Sequence, residues 1–173
     1  MRLTIRAFAG FVLAASSAVL GTALLSQYWG GLAPCELCIL QRWPWAVATV
    51  ISLVAVLVGD RPGLNPVTFI LGVVFAIGVA FAFYHVGVEQ HWFAGPSACT
   101  AQSGGAMTLE EMKRQILGTA PVLCDRPAWT LFGVSMAGFN LLASLIMAAI
   151  CFGSFAYARR PGAVRAGIRR GTA

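Results

Sequence analysis

Four cysteines stand where thiol chemistry could be done: Cys35 and Cys38 in "PCELCILQRWPW", and Cys99 and Cys124, with 24 residues between them. A fifth, Cys151, lies inside a long apolar run and reads as a small buried hydrophobe. Three chemistries compete for the four. A zinc site needs four converging ligands, but the second pair is spread out, with no second Cys-x-x-Cys and no histidine pair beside it. Two structural disulfides are possible, although a Cys-x-x-Cys closes so short a loop that it removes little unfolded-state entropy. A redox couple explains the placement, because the pair stands at the start of a helix, where unpaired N–H groups and the helix dipole favour a thiolate.

Arg42 follows Cys38 by four residues, which puts it on the same helical face and about 6 Å further along the axis. The uncharged part of that helix, 43–59, has 17 residues, roughly 26 Å of rise, so a membrane span must borrow the turn carrying Arg42. A guanidinium at the hydrocarbon boundary can snorkel to the headgroups. It can instead hydrogen-bond a lipid-soluble electron acceptor and stabilise the charge that reduction creates. Pro44 opposes the same-face geometry, since proline biases Trp43 away from helix and could start the regular helix only there. His85, at the outer end of the third apolar run, and His91, in "VEQHWF", could each supply a proton or hydrogen bond to the acceptor, with Glu89 beside them. A structural role serves either histidine as well.

The elements that must carry these residues are membrane helices. The chain is 58% hydrophobic and only 10% charged, with uncharged stretches at 7–35, 43–59, 62–88 and 127–158. Such stretches approach or exceed the ~20 residues of a spanning helix. The expectation is an all-α integral membrane protein, one domain over 1–173, forming a four-transmembrane-helix bundle. Its helices fall at about 7–26, 40–58, 67–86 and 130–156, with loops at about 27–39 and 87–129 on one side and a tail at 157–173 on the other. In the first helix Gly10, Ala14, Ala18 and Ala23, with Ser16 and Ser17, are small enough for close packing. Thr108 and Glu111 form a capping-box pattern, and Leu109, Met112 and Ile116 share one face, which predicts a short amphipathic helix in the second loop.

The net charge of +6 is topological, not the footprint of a nucleic-acid partner. The side holding both termini carries Arg2, Arg6, Arg61, Arg159, Arg160, Arg165, Arg169 and Arg170, whereas the other holds Arg42, Lys113, Arg114 and Arg126 among five acids. The positive-inside rule then makes both termini cytoplasmic and turns the cysteine loops outward, into a compartment where disulfides persist. An uncleaved first helix fits better than a signal peptide, because the apolar run continues to Leu25 without a small-x-small cleavage site.

Four helices, an outward Cys-x-x-Cys followed by "ILQR" at the start of the second, and a cysteine pair in a long outward loop together resemble the bacterial disulfide bond formation protein B family, DsbB. The resemblance covers nearly the whole chain. It implies a thiol:quinone oxidoreductase of the bacterial inner membrane that reoxidises a DsbA-like periplasmic thiol oxidoreductase and passes electrons to the membrane quinone pool, ubiquinone or menaquinone. That a DsbA–DsbB–quinone chain keeps the periplasm oxidising is knowledge of the family, not a reading of these spacings. Carried over by residue, the resemblance implies that Cys35 and Cys38 exchange electrons with quinone near Arg42, and His85 matches the family's histidine by position better than His91. It further implies that Cys99 and Cys124 form the disulfide that meets the partner, Cys99 being attacked and Cys124 passing electrons to Cys35. The competing function class is a non-catalytic, disulfide-stapled four-helix membrane scaffold or partner-binding module.

Overall fold

The computed structural model describes residues 5–59, 65–96, 109–110, 113 and 122–159. Four long helices make it: α1 (Ile5–Tyr28), α2 (Glu36–Val58), α3 (Asn65–Glu89) and α4 (Met136–Ala158), with a small antiparallel hairpin of β1 (Thr130–Leu131) and β2 (Val134–Ser135) before α4. Each helix is long and apolar enough to cross a bilayer. The fold is therefore an all-helical, four-span membrane bundle. Leu109, Glu110 and Lys113 are helical, while the rest of the expected amphipathic helix lies outside the described residues.

Two element starts differ from the sequence expectation, each for a local reason. Helix α2 begins at Glu36, about a turn before 40, because Cys35 caps it: its Sγ accepts the Cys38 N–H at 3.2 Å. The helix then runs unbroken through Pro44, so the ring removes one helical hydrogen bond without restarting the element. Helix α4 begins at Met136 and not near 130, because Phe132 and Gly133 take left-handed conformations (φ 51° and 78°) that close a two-residue hairpin turn. Ser135 then caps α4, its Oγ accepting the Gly138 N–H at 3.0 Å.

Helix α2 is central, packing on α1 and on α3, while α3 packs extensively on α4. A core of Phe8, Val12, Trp45, Ala48, Leu71, Phe75, Met147, Ala148 and Cys151 joins all four helices, and the Trp45 indole meets Phe75 edge-on at 5.1 Å. Burial of Cys151 here accords with its reading as a small hydrophobe. The α1 packing face is Phe8, Ala9, Val12 and Ser16, whereas Ala14 and Ala18 are exposed and a Cβ on Gly10 would meet nothing within 4 Å. Besides the fully buried Ser16 of α1, close approach through a small residue occurs at Gly78 of α3, where a Cβ would lie 3.3 Å from both Pro44 Cβ and Ser144 Oγ. Gly78→Val should accordingly cost about 1–3 kcal/mol by overpacking, read as a lower unfolding temperature in detergent, while Gly10→Ala should not lower it.

Candidate thiol redox site

The capping geometry that starts α2 also separates its two thiols. Cys35 is buried, with 5% of its surface exposed, whereas Cys38, one turn into the helix, is half-buried. Their sulfurs are 2.9 Å apart, with Cys35 placed to donate its S–H to Cys38. That separation exceeds the ~2.05 Å of a disulfide, so the pair is a dithiol here. Cys35 lies just outside the membrane span, and its thiol is pushed up to about 12, first by the hydrogen bond it donates to Cys38 and then by burial, while His85 acts in the opposite direction. At Cys35 that hydrogen bond and burial oppose the thiolate that a helix N-terminus favours.

The fold favours the neutral Cys35 thiol from its ordinary value of 9.0 up to about 12. That preference stabilises the reduced protein fully below pH 9 and is lost as the pH rises through about 12. In the reduced protein iodoacetamide should label Cys38 well before Cys35 at neutral pH, and Cys35 labelling should keep accelerating above pH 9. Mass spectrometry of the labelled peptides checks both the order and the pH dependence.

Helix α3 brings in the imidazole. His85 is 2% exposed, and its Nε2 lies 3.6 Å from Cys35 Sγ. One turn later Glu89 places Oε1 3.9 Å from the same nitrogen, while its Oε2 accepts the Ser135 hydroxyl at 2.5 Å, tying α3 to the cap of α4. The other ring nitrogen, Nδ1, is 2.6 Å from the buried Gln41 amide nitrogen. Gln41 Oε1 in turn accepts from Asn140 of α4, and Asn140 Oδ1 accepts the Trp45 indole N–H at 2.7 Å. A continuous polar chain, Trp45–Asn140–Gln41–His85–Cys35–Cys38, therefore links three helices.

Because helix α2 is continuous, Cys38, Gln41, Arg42 and Trp45 recur on one face. All four border a cavity of about 560 Å³, which is walled by α1 residues such as Val19, Thr22 and Ala23, by Trp129 and Leu131 of the hairpin region, and by Phe139, Asn140 and Ala143 of α4. The cavity lies between α1 and α4, which pack little on each other. Arg42 is anchored, not simply extended towards headgroups: one guanidinium nitrogen donates to Gln27 Oε1 at 2.6 Å and another reaches Ala23 O at 3.5 Å. A guanidinium has five N–H donors, so these contacts leave others over.

Cys124 is fully buried in one small cluster with Cys35, Leu37 and Val88, against which Cys38 packs. The second cysteine segment thus meets the first. Cys99 lies outside the described residues. His91 is not gathered here: it is exposed, with φ 59°, just beyond α3. Its N–H bonds Val88 O at 3.1 Å and the Trp92 N–H bonds Gly87 O at 2.7 Å, the pairing of a Schellman helix end. A left-handed helix stop explains His91, and among the described residues His85 is the histidine that joins the cysteines.

Fold and site define a four-span membrane protein with a buried Cys-x-x-Cys/histidine centre open to a cavity in its bundle. The family model for disulfide bond formation protein DsbB matches residues 5–153, and the chain belongs to that family of disulfide-forming membrane oxidoreductases. It is 31% identical over 146 residues to the disulfide bond formation protein B of Stutzerimonas stutzeri, covering 79% of this chain and 85% of that one. It is 28% identical over 155 residues to the protein of the same name from Hahella chejuensis, covering 85% and 90%, and 28% identical over 138 residues to that of Azoarcus sp., covering 76% and 80%. No solved structure gives a significant match.

Sequence reading missed Gln27, Gln41, Trp45 and Asn140. Gln41 and Asn140 were visible as uncommon amides within spanning helices, and a polar residue at such depth marks a functional or packing site by default. Their pairing across 99 positions was not visible.

Proposed function

We propose that this protein is a thiol:quinone oxidoreductase that reoxidises a DsbA-like periplasmic dithiol protein and delivers the electrons to ubiquinone or menaquinone in the bacterial inner membrane. Both termini are then cytoplasmic and the cysteine loops periplasmic, as the arginine distribution supports. The observation that carries the reading is the position of Cys38: half-buried, hydrogen-bonded by the buried Cys35 thiol, and on the wall of an apolar cavity that also holds Arg42.

The cavity suits a quinone head group, with a volume inside the usual range of small-molecule sites, mostly apolar walls, and N–H donors on Arg42, Gln41 and Asn140 that would hold it. When bound, a quinone supplies a two-electron, two-proton acceptor. The protein's own residues do the thiol chemistry. A partner thiolate attacks Cys99 of a Cys99–Cys124 disulfide and frees Cys124; the partner's second thiol then completes its own disulfide and releases Cys99. Cys124, packed beside Cys35, attacks the Cys35–Cys38 disulfide at Cys35, and the electron pair of the broken bond stays on Cys38 Sγ. Cys38 leaves on the cavity side, where the Arg42 cation offsets its charge. Cys99 then attacks Cys124, which restores that pair and leaves Cys35 reduced beside Cys38.

Purified protein in proteoliposomes, supplied with a reduced DsbA-like dithiol and a quinone, tests the reading by loss of quinone absorbance. Turnover that requires both substrates supports it. Absence of quinone consumption, with both disulfides as hard to reduce as structural ones, would make the protein a stapled scaffold instead.

A further inference from the structure

The polar chain through the bundle has a direction, and its direction is set at the end away from the cysteines. An indole N–H can only donate, so the atom of Asn140 facing Trp45 Nε1 at 2.7 Å is the amide oxygen. Asn140 therefore turns its NH2 towards Gln41, whose oxygen accepts. Gln41 is left with its NH2 facing His85 Nδ1 at 2.6 Å, and a nitrogen facing a donor must accept. The proton of the neutral imidazole then sits on Nε2, the nitrogen that faces Cys35 Sγ at 3.6 Å and Glu89 Oε1 at 3.9 Å. Both of these groups are acceptors when ionised, so the two ends of the chain agree independently.

We propose that Asn140 and Gln41 are positioning residues that lock His85 in its Nε2–H tautomer, so that this N–H receives the charge on Cys35 whenever Cys35 is the leaving group. The inference rests on the oxidoreductase reading for its consequence but not for its geometry. In the step concerned an attacking thiolate takes the sulfur bonded to Cys35. The S–S bond breaks and its electron pair remains on Cys35 Sγ, where the His85 N–H hydrogen-bonds it without proton transfer. A wrong tautomer would point a lone pair at that sulfur. The relay is built across α2, α3 and α4, so one bundle geometry holds both the imidazole and the cavity wall.

Nitrogen-15 NMR of histidine-labelled, reduced protein in lipid nanodiscs tests this directly. The chain has two histidines, and His91→Asn, which suits a left-handed position, leaves one signal set. The expected result is a protonated Nε2 and a bare Nδ1. In Asn140→Asp the carboxylate accepts from both Trp45 and Gln41, Gln41 turns its oxygen to His85, and the two nitrogen signals exchange character. In Gln41→Leu the single tautomer is lost to a mixture. Single-turnover release of Cys35 from a mixed disulfide should slow about tenfold in both, as expected for loss of one hydrogen bond to a charged group. A wild-type Nδ1–H tautomer, or an unchanged Nε2–H tautomer in both variants, overturns the proposal. The NMR readout requires neither quinone nor partner, so it fails separately from the oxidoreductase reading.

Discussion

Replacing Cys38 by serine should abolish electron transfer from a dithiol partner to quinone, a loss of at least about 10³-fold, since it removes the leaving sulfur of the Cys35–Cys38 disulfide, and losing a residue at the reacting centre typically costs several orders of magnitude. Cys35→Ser has the same effect on turnover but a different signature. In Cys35→Ser the remaining Cys38 sulfur still borders the cavity, so it should stay open to a lipid-soluble alkylating agent. In Cys38→Ser the remaining Cys35 is buried and should label slowly. Parallel assays of quinone absorbance and thiol labelling in both variants check the division between an inner sulfur that meets Cys124 and an outer one that meets the cavity. Equal labelling of the two variants would contradict it.

The second large effect is expected at Arg42. Its anchoring to Gln27 and Ala23 of α1 fixes a cation on the cavity wall beside Cys38, and hydrogen bonds from charged groups contribute about 1.5–3 kcal/mol. Arg42→Ala should therefore raise the apparent KM for quinone about tenfold or more, while the KM for the dithiol partner changes much less. Arg42→Lys should restore only part of the loss, because an ammonium lacks the forked donors that serve Gln27, Ala23 and a ligand together. Steady-state kinetics with each substrate varied in turn checks this, and equal changes in both KM values would reduce Arg42 to a helix anchor.

How far the sequence reaches is seen in particular residues. The four spans, the cysteine pair at a helix start and Arg42 on its face were legible because hydropathy and helical period act locally. Pro44 pointed the wrong way: its local bias against helix is outweighed where the Cys35 cap starts the helix before it and its buried ring packs against Gly78 of α3. The hairpin at Thr130–Ser135 was hidden inside an uncharged run, since hydropathy does not register the left-handed conformations of Phe132 and Gly133. His85 and His91 could not be separated by type, because what distinguishes them is a helix end: α3 continues to Glu89, carrying His85 inward, and stops so that His91 becomes its exposed left-handed residue. The relay depends on contacts across 44 and 99 positions, beyond any local pattern.

The most direct test of the central claim is stoichiometric and anaerobic. Wild-type protein in proteoliposomes is mixed without oxygen with a reduced DsbA-like dithiol and a limiting amount of quinone, and thiols and quinone absorbance are followed together. The account predicts that one quinone is reduced for each disulfide formed in the partner, and that oxidation stops when the quinone is exhausted. Thiol oxidation that continues without quinone, or quinone that persists while the partner stays reduced, would contradict it.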